Sequence, residues 1–243
     1  MNNNFIVEVK KIYKNFDGKE ALKGIEFYVK RGEIYVLLGP NGAGKTTTVK
    51  IIVGVLEPDK GEVFVFGEKM SAANINVKQR ISYLPDEPYI YNKLTGKEFL
   101  EFMLSIYKKP LDFEKYKFFL SEFGLEEYIE APIDIYSKGV KQKLLLMSIF
   151  LREPELYVLD EPMIGLDPKA IHFFKQYILQ LSKENKTVIL CTHLLDLAEQ
   201  LAQKIAIIYN GKILISGDKD EIARQFNLST SKLEEIYLKL TKK

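Results

Sequence analysis

The hydrophobic positions follow two different periods, and the change between them divides the chain into three parts. In the first third, short alternating or continuous apolar runs separated by turn signals predict β-strands. The predicted strands are Phe5–Val9, Ile25–Val29, Glu33–Leu38 and Val63–Phe66. One helix is expected in this third, over Thr47–Val53.

The middle third has helical spacing. Apolar residues at i, i+3, i+4, i+7 and i+8 predict a helix that buries one stripe. That stripe is Phe99, Phe102, Met103, Ile106 and Tyr107. A second helix is expected around Phe118–Phe123 and ends at Gly124, and a third over Gly139–Leu151. The apolar run Leu144–Leu151 is too short for a membrane span and predicts a buried helix.

Strands and helices alternate again in the last third. Strands are predicted at Leu156–Leu159 and Thr187–Cys191, and helices at Ile171–Leu181 and Leu194–Ala202. Asn210-Gly211 between two apolar runs predicts a hairpin of Ile205–Tyr209 with Lys212–Ser216. A tail helix is expected from Ser231, with a capping box over Ser231–Glu234.

A glycine-rich segment lies between the third predicted strand and the first predicted helix. It reads Gly39, Pro40, Asn41, Gly42, Ala43, Gly44, Lys45, Thr46 and matches the phosphate-binding P-loop, with Thr47 next in the chain. Backbone N–H groups and the positive helix end of such a loop bind phosphate. We expect Lys45 to reach the β- and γ-phosphates and Thr46 to ligate Mg²⁺.

Two acids end the strand Leu156–Leu159. A carboxylate at the end of a buried parallel strand lies at the edge of the sheet where ligands bind in such folds. Next to a P-loop, Asp160 is therefore expected to hold Mg²⁺ together with Thr46. Glu161 is expected to act as the general base that polarises the attacking water.

Composition narrows the class of protein. The 243 residues, 47% of them hydrophobic, can form one large domain with a subdomain. A net charge of +2 gives no argument for nucleic acid as a partner. The single cysteine, Cys191, excludes an internal disulfide, and Met1–Asn4 does not begin a signal peptide. These features favour a cytoplasmic protein whose membrane role, if any, depends on a partner.

In order along the chain, the motifs resemble those of the ATP-binding subunits of ABC transporters. Residues 39–46 resemble Walker A and residues 156–161 resemble Walker B. Gly165–Pro168, including Asp167, resembles the D-loop, and Thr192-His193 the H-loop. Tyr136–Val140, with Ser137, Lys138 and Gly139, stands where that family has its L-S-G-G-Q signature. A GTPase would carry an N-K-x-D motif, which this sequence lacks.

The resemblance implies a fold, cofactors and partners. The fold is α/β: a P-loop NTPase core with a mixed sheet flanked by helices, an antiparallel β subdomain and an inserted α-helical subdomain. It implies one ABC ATPase domain, with a core at 1–86 and 152–217, helices at 87–151 and a tail at 218–243. The cofactors are ATP and Mg²⁺. The partners are an integral membrane (permease) subunit and a second nucleotide-binding subunit, either an identical copy or a paralogue, so the chain would lie peripherally on the cytoplasmic face of the membrane.

The resemblance also implies a composite catalytic site. Two such chains pack head to tail, so Ser137, Lys138 and Gly139 of one chain bind the ATP held by the P-loop of the other. His193 contacts the γ-phosphate, whereas His172 is interpreted as structural. The adenine stacks on Phe16, with Tyr13 as the alternative.

Three features depart from the family pattern. Lys138 and Val140 replace glycine and glutamine in the signature, in a variant similar to that of exporter-type (ABC-2) subunits. Asp86 stands where a glutamine is usual; a carboxylate can ligate Mg²⁺ but cannot donate a hydrogen bond. The tail is short and similar to that of ABC-2-type subunits.

After Asp86, the sequence predicts a partly exposed groove for the membrane subunit at Tyr89, Ile90, Tyr91 and Leu94. Two alternatives to a transport ATPase remain open at this stage. One is a soluble ABC-type ATPase of translation or DNA repair, and the other is a regulatory module that binds ATP without hydrolysing it.

Overall fold

The computed structural model describes residues 4–87, 89–225 and 233–241. The strands are β1 (Phe5–Phe16), β2 (Lys19–Lys30), β3 (Ile34–Leu38), β4 (Lys60–Val65), β5 (Glu68–Lys69), β6 (Ile81–Leu84), β7 (Leu156–Asp160), β8 (Thr187–Thr192), β9 (Lys204–Tyr209) and β10 (Lys212–Gly217). The helices are α1 (Lys45–Ile52), α2 (Ile75–Gln79), α3 (Gly96–Ile106), α4 (Phe113–Phe123), α5 (Lys138–Arg152), α6 (Pro168–Lys183), α7 (Leu195–Leu201), α8 (Lys219–Gln225) and α9 (Leu233–Thr241).

The strands form two sheets. The central sheet has the order β10-β9-β3-β8-β7-β6, in which β10 is antiparallel to β9 and the other neighbours are parallel. The smaller sheet, β2-β1-β4-β5, is antiparallel throughout. The predicted α/β class, with a mixed sheet and a separate antiparallel sheet, is confirmed.

The central sheet separates two hydrophobic clusters. Along β3, Tyr35 and Leu37 pack with α1 and the antiparallel sheet, whereas Ile34, Val36 and Leu38 face the other helices. All five side chains are fully buried, which explains why β3 reads as a continuous apolar run.

The predicted bounds of β1, β2 and α1 need correction, and β2 begins at Lys19, six residues before the predicted Ile25. Strand β1 extends to Phe16, beyond the predicted Phe5–Val9. The alternation of apolar and polar residues is interrupted by a bulge after Val9, so the pattern did not indicate the rest of the strand. Lys11 has a left-handed backbone (φ 47°), and the register shifts between Val9 and Ile12. Helix α1 begins at Lys45, inside the P-loop motif, rather than at Thr47.

The predicted stripe of the first middle-third helix is also wrong in part. In α3 the residues Phe99, Leu100 and Leu104 are buried, but Phe102 and Ile106 are exposed. Apolar residues occur around most of this helix, so their period alone did not identify its buried face.

The other predicted helices are confirmed. Helix α4 ends at Gly124, which has the left-handed conformation (φ 61°) favoured after a helix. Helix α5 contains the buried run Leu144–Leu151. Helix α9 buries Leu233 and Ile236, whereas the first two residues of the predicted capping box, Ser231 and Lys232, lie outside the described residues.

Candidate functional site

Three strands of the central sheet end at the same level. Leu38 of β3 is paired with Thr192 of β8, and Cys191 of β8 with Asp160 of β7. The segments that follow these strand ends are the P-loop, Glu161 and His193. The register of a parallel sheet therefore brings together groups that are more than a hundred residues apart in sequence.

Glycines permit the conformation of the P-loop. Gly42 and Gly44 have positive φ angles of 77° and 109°. A Cβ at Gly39 would lie 2.2 Å from the carbonyl oxygen of Ile208, so the loop passes too close to β9 for any side chain there. The loop is also held by the Gly39 amide, which donates to the carbonyl of Thr192 at 3.2 Å.

Lys45 is the first residue of α1 and is only 5% exposed. Its Nζ donates to the carbonyl oxygens of Gly39 at 2.8 Å and Pro40 at 3.2 Å. It also lies 3.4 Å from Oε1 of Glu161. The ammonium group is therefore held between the P-loop backbone and the acid after β7.

Glu161 lies at the centre of this group and has a left-handed backbone (φ 48°). Its amide donates to the carbonyl of Cys191 at 3.0 Å. Oε1 lies 2.9 Å from Nδ1 of His193, and Oε2 accepts a 3.4 Å hydrogen bond from the hydroxyl of Thr192. These contacts orient the carboxylate and hold the residue in a backbone conformation that non-glycine residues rarely adopt.

Asp160 is fully buried, and neither carboxylate oxygen has a hydrogen-bond partner. Burial raises the pKa of Asp160 to about 6. The Thr46 hydroxyl opposes this shift from nearby, without the geometry of a hydrogen bond to either oxygen, while the charges of Asp86 and Glu161 add to it. A buried carboxylate with two unused oxygens beside a hydroxyl fits a divalent cation.

Among residues 4–87, 89–225 and 233–241, no cluster of three or more His, Cys, Asp or Glu side chains could hold a metal ion. Mg²⁺ is usually held in proteins by one or two side chains, with water and substrate phosphate supplying the other ligands. Thr46 and Asp160 fit that requirement, and Asp86 is near enough to influence Asp160.

A cavity of about 180 Å³ brings most of the predicted phosphate-binding residues together, but Gly39, Pro40 and Ala43 do not line it. Its lining residues are Ala21, Asn41, Gly42, Gly44, Lys45, Thr46, Thr47, Asp86 and Glu161. Asp86, which the sequence placed only by resemblance, thus faces the P-loop. Ser137, Lys138 and Gly139 are not among the residues that line this cavity.

The two candidate adenine-stacking residues are both partly exposed. Phe16 is 45% exposed at the end of β1, in the hairpin that also carries Ala21. Tyr13 is 40% exposed, and its hydroxyl packs against Gly24, where an added Cβ would lie only 2.8 Å away. Neither ring lines the P-loop cavity.

The signature residues lie at the beginning of α5. Ser137 is the N-cap, and its hydroxyl accepts a 3.3 Å hydrogen bond from the amide of Val140. Ser137 and Lys138 are exposed, which is compatible with a ligand approaching from outside the chain. Lys138 also lines a second cavity, of about 230 Å³, with Asp86 and Glu161.

Asp167 has a structural explanation in addition to its predicted D-loop role. Oδ1 accepts a 2.9 Å hydrogen bond from the amide of Ala170 and so caps α6. Oδ2 lies 2.5 Å from Nζ of Lys143 on α5. The other histidine, His172, is exposed on α6.

Sequence reasoning assigned no role to three side chains near the site. Thr192, named only as part of the H-loop, contacts Glu161. Tyr83 of β6 has a buried hydroxyl without a hydrogen-bond partner, and burial raises its pKa, as do the charges of Asp160, Cys191 and Asp86. Gln142 of α5 contacts the backbone of Pro162, which nothing in its sequence neighbourhood indicated.

The sequence is similar to those of ATP-binding proteins of ABC transporters. The profile of the ABC transporter family matches residues 22–164, well over half of the chain. The ABC-type transporter ATP-binding protein EcsA of Bacillus subtilis is 32% identical over 98% of this chain and 97% of its own length. The SkfA peptide export ATP-binding protein SkfE of the same organism is 34% identical over 86% of each chain.

A solved structure described as an ATP binding subunit of an ABC transporter has the same architecture. It superposes with a TM-score of 0.89 and 35% identity, over 97% of this chain and 99% of the other. The fold, the P-loop and the acids after β7 agree with these similarities. The chain therefore belongs to the ABC transporter family, as an ATP-binding subunit with ATPase activity.

Proposed function

We propose that this chain binds and hydrolyses MgATP at the interface of a head-to-tail dimer and thereby drives transport by a separate membrane subunit. One observation carries the proposal. Lys45, Glu161 and His193 converge at one sheet edge, whereas Ser137 lies exposed at the N-terminus of α5 and does not line the P-loop cavity. A second chain is then needed to bring a signature to each ATP.

Within its own site, each residue has a chemical role. The P-loop amides and Lys45 bind the phosphates. Thr46 and Asp160 would hold Mg²⁺, which neutralises phosphate charge when bound, with Asp86 close by. Glu161 accepts the proton of the attacking water. Because Nδ1 of His193 faces Glu161, Nε2 is the ring nitrogen directed to the γ-phosphate.

The signature supplies the remaining contact. The N-terminus of α5 presents backbone N–H groups and the positive end of the helix, which together favour an anion. Ser137 and Lys138 add a hydroxyl and a positive charge at the same exposed end. We assign this end to the γ-phosphate of the ATP held by the second nucleotide-binding subunit, an identical copy or a paralogue.

An exposed aromatic cluster is the candidate surface for the membrane subunit. Tyr89 is 85% exposed and Tyr91 46%, as expected if some of these side chains face solvent, while Ile90 is buried. The rings of Tyr89, Tyr91 and Phe102 contact one another edge to face, with centroids 5.7 and 5.3 Å apart. This cluster begins three residues after Asp86, so a docked segment would lie next to the P-loop cavity.

In the part of the chain that the structure describes, no helix is both long and apolar enough to cross a membrane. The similarity to ATP-binding subunits of ABC transporters supports assigning the membrane-spanning part of the transporter to a partner, with this chain on the cytoplasmic face.

Substitution of Glu161 by Gln tests the proposed function. The amide keeps the shape of the side chain but cannot accept a proton, so ATP hydrolysis should fall by about 100-fold or more. The variant should form a dimer in the presence of ATP, measured by light scattering after gel filtration. Hydrolysis at the wild-type rate, or a monomer at saturating ATP, contradicts the proposal.

Recovery of the tagged chain from membranes tests the partner. A transport subunit should co-purify with an integral membrane protein. This co-purification should be lost when Tyr89 and Tyr91 are replaced. A chain found only in the soluble fraction, with no integral partner, contradicts the transport role while leaving the dimeric ATPase intact.

A further inference from the structure

The beginning of α5 touches the loop that follows Glu161. A Cβ added to Gly139 would lie 2.3 Å from the carbonyl oxygen of Gly165. Only glycine fits so close an approach between two backbones. The helix capped by Ser137 therefore lies in direct backbone contact with the segment 162–167.

Gln142 extends this contact toward the catalytic carboxylate. It stands three residues after Gly139, on the same side of α5, and is 8% exposed. Its Nε2 donates a 2.9 Å hydrogen bond to the carbonyl oxygen of Pro162, the residue directly after Glu161. Gln142 thus holds the chain immediately beyond the general base.

Glu161 depends on such support. Its left-handed backbone (φ 48°) is maintained only if the surrounding structure holds it there. On the sheet side, its amide donates to the carbonyl of Cys191. On the α5 side, the corresponding restraint is the hydrogen bond from Gln142 to Pro162.

An ion pair adds a third contact between the two segments. Nζ of Lys143 lies 2.5 Å from Oδ2 of Asp167, whose other oxygen caps α6. The first turns of α5 are therefore attached to the segment 162–167 at both ends. Gln142 contacts its first residue, Pro162, and Lys143 contacts its last residue, Asp167. These contacts form a continuous packed connection between the beginning of α5 and the segment that follows Glu161.

We propose that Gln142 is a positioning residue for hydrolysis. It aligns Glu161 when Ser137–Gly139 of the same chain have bound ATP. The inference rests on the proposed function, in which Ser137–Gly139 contact the ATP held by the second copy. That ATP fixes the beginning of α5, and Gln142 and Pro162 pass the constraint to Glu161. The two nucleotide sites of the dimer are thereby coupled, because each ATP aligns the general base that acts on the other.

A dimer with two distinguishable copies tests this assignment. The reporter copy keeps Glu161 and the effector copy carries Glu161→Gln, so only the reporter hydrolyses ATP. Differently tagged full-length copies are purified together through both tags in the presence of ATP. Single-turnover hydrolysis at saturating ATP is then started with Mg²⁺.

Gln142→Met is placed in the reporter or, as the matched control, in the effector. Methionine has a similar shape but no N–H group to donate to Pro162. In the reporter it should lower the rate about tenfold, within the usual range of coupling between sites, without changing the ATP affinity of the reporter P-loop. In the effector it should leave the rate within about twofold, because that copy contributes a signature and no general base.

Gln142→Glu provides a second variant of unchanged shape, in case methionine does not pack. Its carboxylate accepts but does not donate a hydrogen bond. The rate should therefore fall when Gln142→Glu is in the reporter copy and stay nearly unchanged when it is in the effector copy. An equal loss from either copy, or no loss from the reporter, overturns the positioning role. If the two tags never co-purify in ATP, the proposed dimeric function fails first and the coupling fails with it.

Discussion

Nδ1 of His193 lies 2.9 Å from Oε1 of Glu161, across the ends of two neighbouring strands. One ring nitrogen is therefore engaged with the carboxylate proposed as the general base, which orients the imidazole so that the other nitrogen faces away from it. The contact restrains the carboxylate and the imidazole relative to each other.

Replacement of His193 by Ala should slow hydrolysis with little change in ATP affinity. Removal of one preorganised group beside a developing charge typically lowers kcat by about 100-fold. Steady-state ATPase measurements over a range of ATP concentrations separate kcat from KM. His172→Ala is the matched control, because this exposed histidine lies on α6 outside the site, and it should retain the wild-type rate. Equal effects of the two substitutions would remove His193 from the mechanism.

Asp160→Asn should stabilise the protein when no nucleotide is bound. Burial raises the pKa of Asp160 to about 6, above its value in the unfolded chain. Ionisation of this carboxyl therefore costs stability as the pH rises from about 4 to about 6, and the full cost remains above that window. The variant avoids a cost of about 3 kcal/mol, so its Tm should exceed that of wild type at pH 8 and match it near pH 4.

The same substitution should abolish the stabilisation that MgATP confers on wild type. Asp167→Asn is the control of opposite sign, because the ion pair with Lys143 lowers the pKa of Asp167 and its contribution is lost as the pH falls. That variant should be less stable than wild type at pH 8. A lower Tm for Asp160→Asn at pH 8 would show that its carboxylate is not the desolvated group described here.

Phe16→Ala should weaken ATP binding by about tenfold if the ring stacks on the adenine, since such stacking contributes about 1–3 kcal/mol per base. Tyr13→Ala is the matched control, and its effect on binding should be smaller because the Tyr13 hydroxyl already packs against Gly24. Equilibrium titration with a fluorescent ATP analogue measures both. A larger loss at Tyr13 would reverse the assignment.

Replacement of Tyr89 and Tyr91 by Ser should detach the chain from the proposed membrane subunit while leaving ATP hydrolysis by the purified chain nearly unchanged. Both rings are exposed, so little burial energy is lost within the chain itself. Phe113→Ser, at a 58% exposed ring at the start of α4, controls for loss of surface aromatic area. Co-purification from solubilised membranes is the measurement, and retention of the partner by the double variant would locate the docking surface elsewhere.

Much of the site could be predicted because its chemistry is local in sequence. The P-loop joins a buried strand to a helix, and Asp160 and Glu161 end a four-residue apolar run. Strand ends of a parallel sheet share one edge, so motif order and hydrophobic pattern together were enough to expect these groups at one place.

Other features could not be read from that pattern. The buried face of α3 was misjudged at Phe102 because apolar residues surround much of the helix, and its rotation is set by packing. Strand β6 was not predicted, since its four residues become a recognisable strand only by pairing with β7. The contacts of Asp167 with Lys143 and α6 likewise arise between separate elements.

The order of residues in the chain was sufficient for the P-loop and for the acids and histidine that follow buried strands, and the family resemblance of these motifs implied the fold class. Those features depend on hydrophobic period and on side-chain chemistry at neighbouring positions. The approach of Gly139 to Gly165, the hydrogen bond from Gln142 to Pro162 and the left-handed backbone of Glu161 depend on how α5 packs against the loop after β7. Packing sets distances between residues far apart in sequence, and a one-dimensional pattern does not contain those distances.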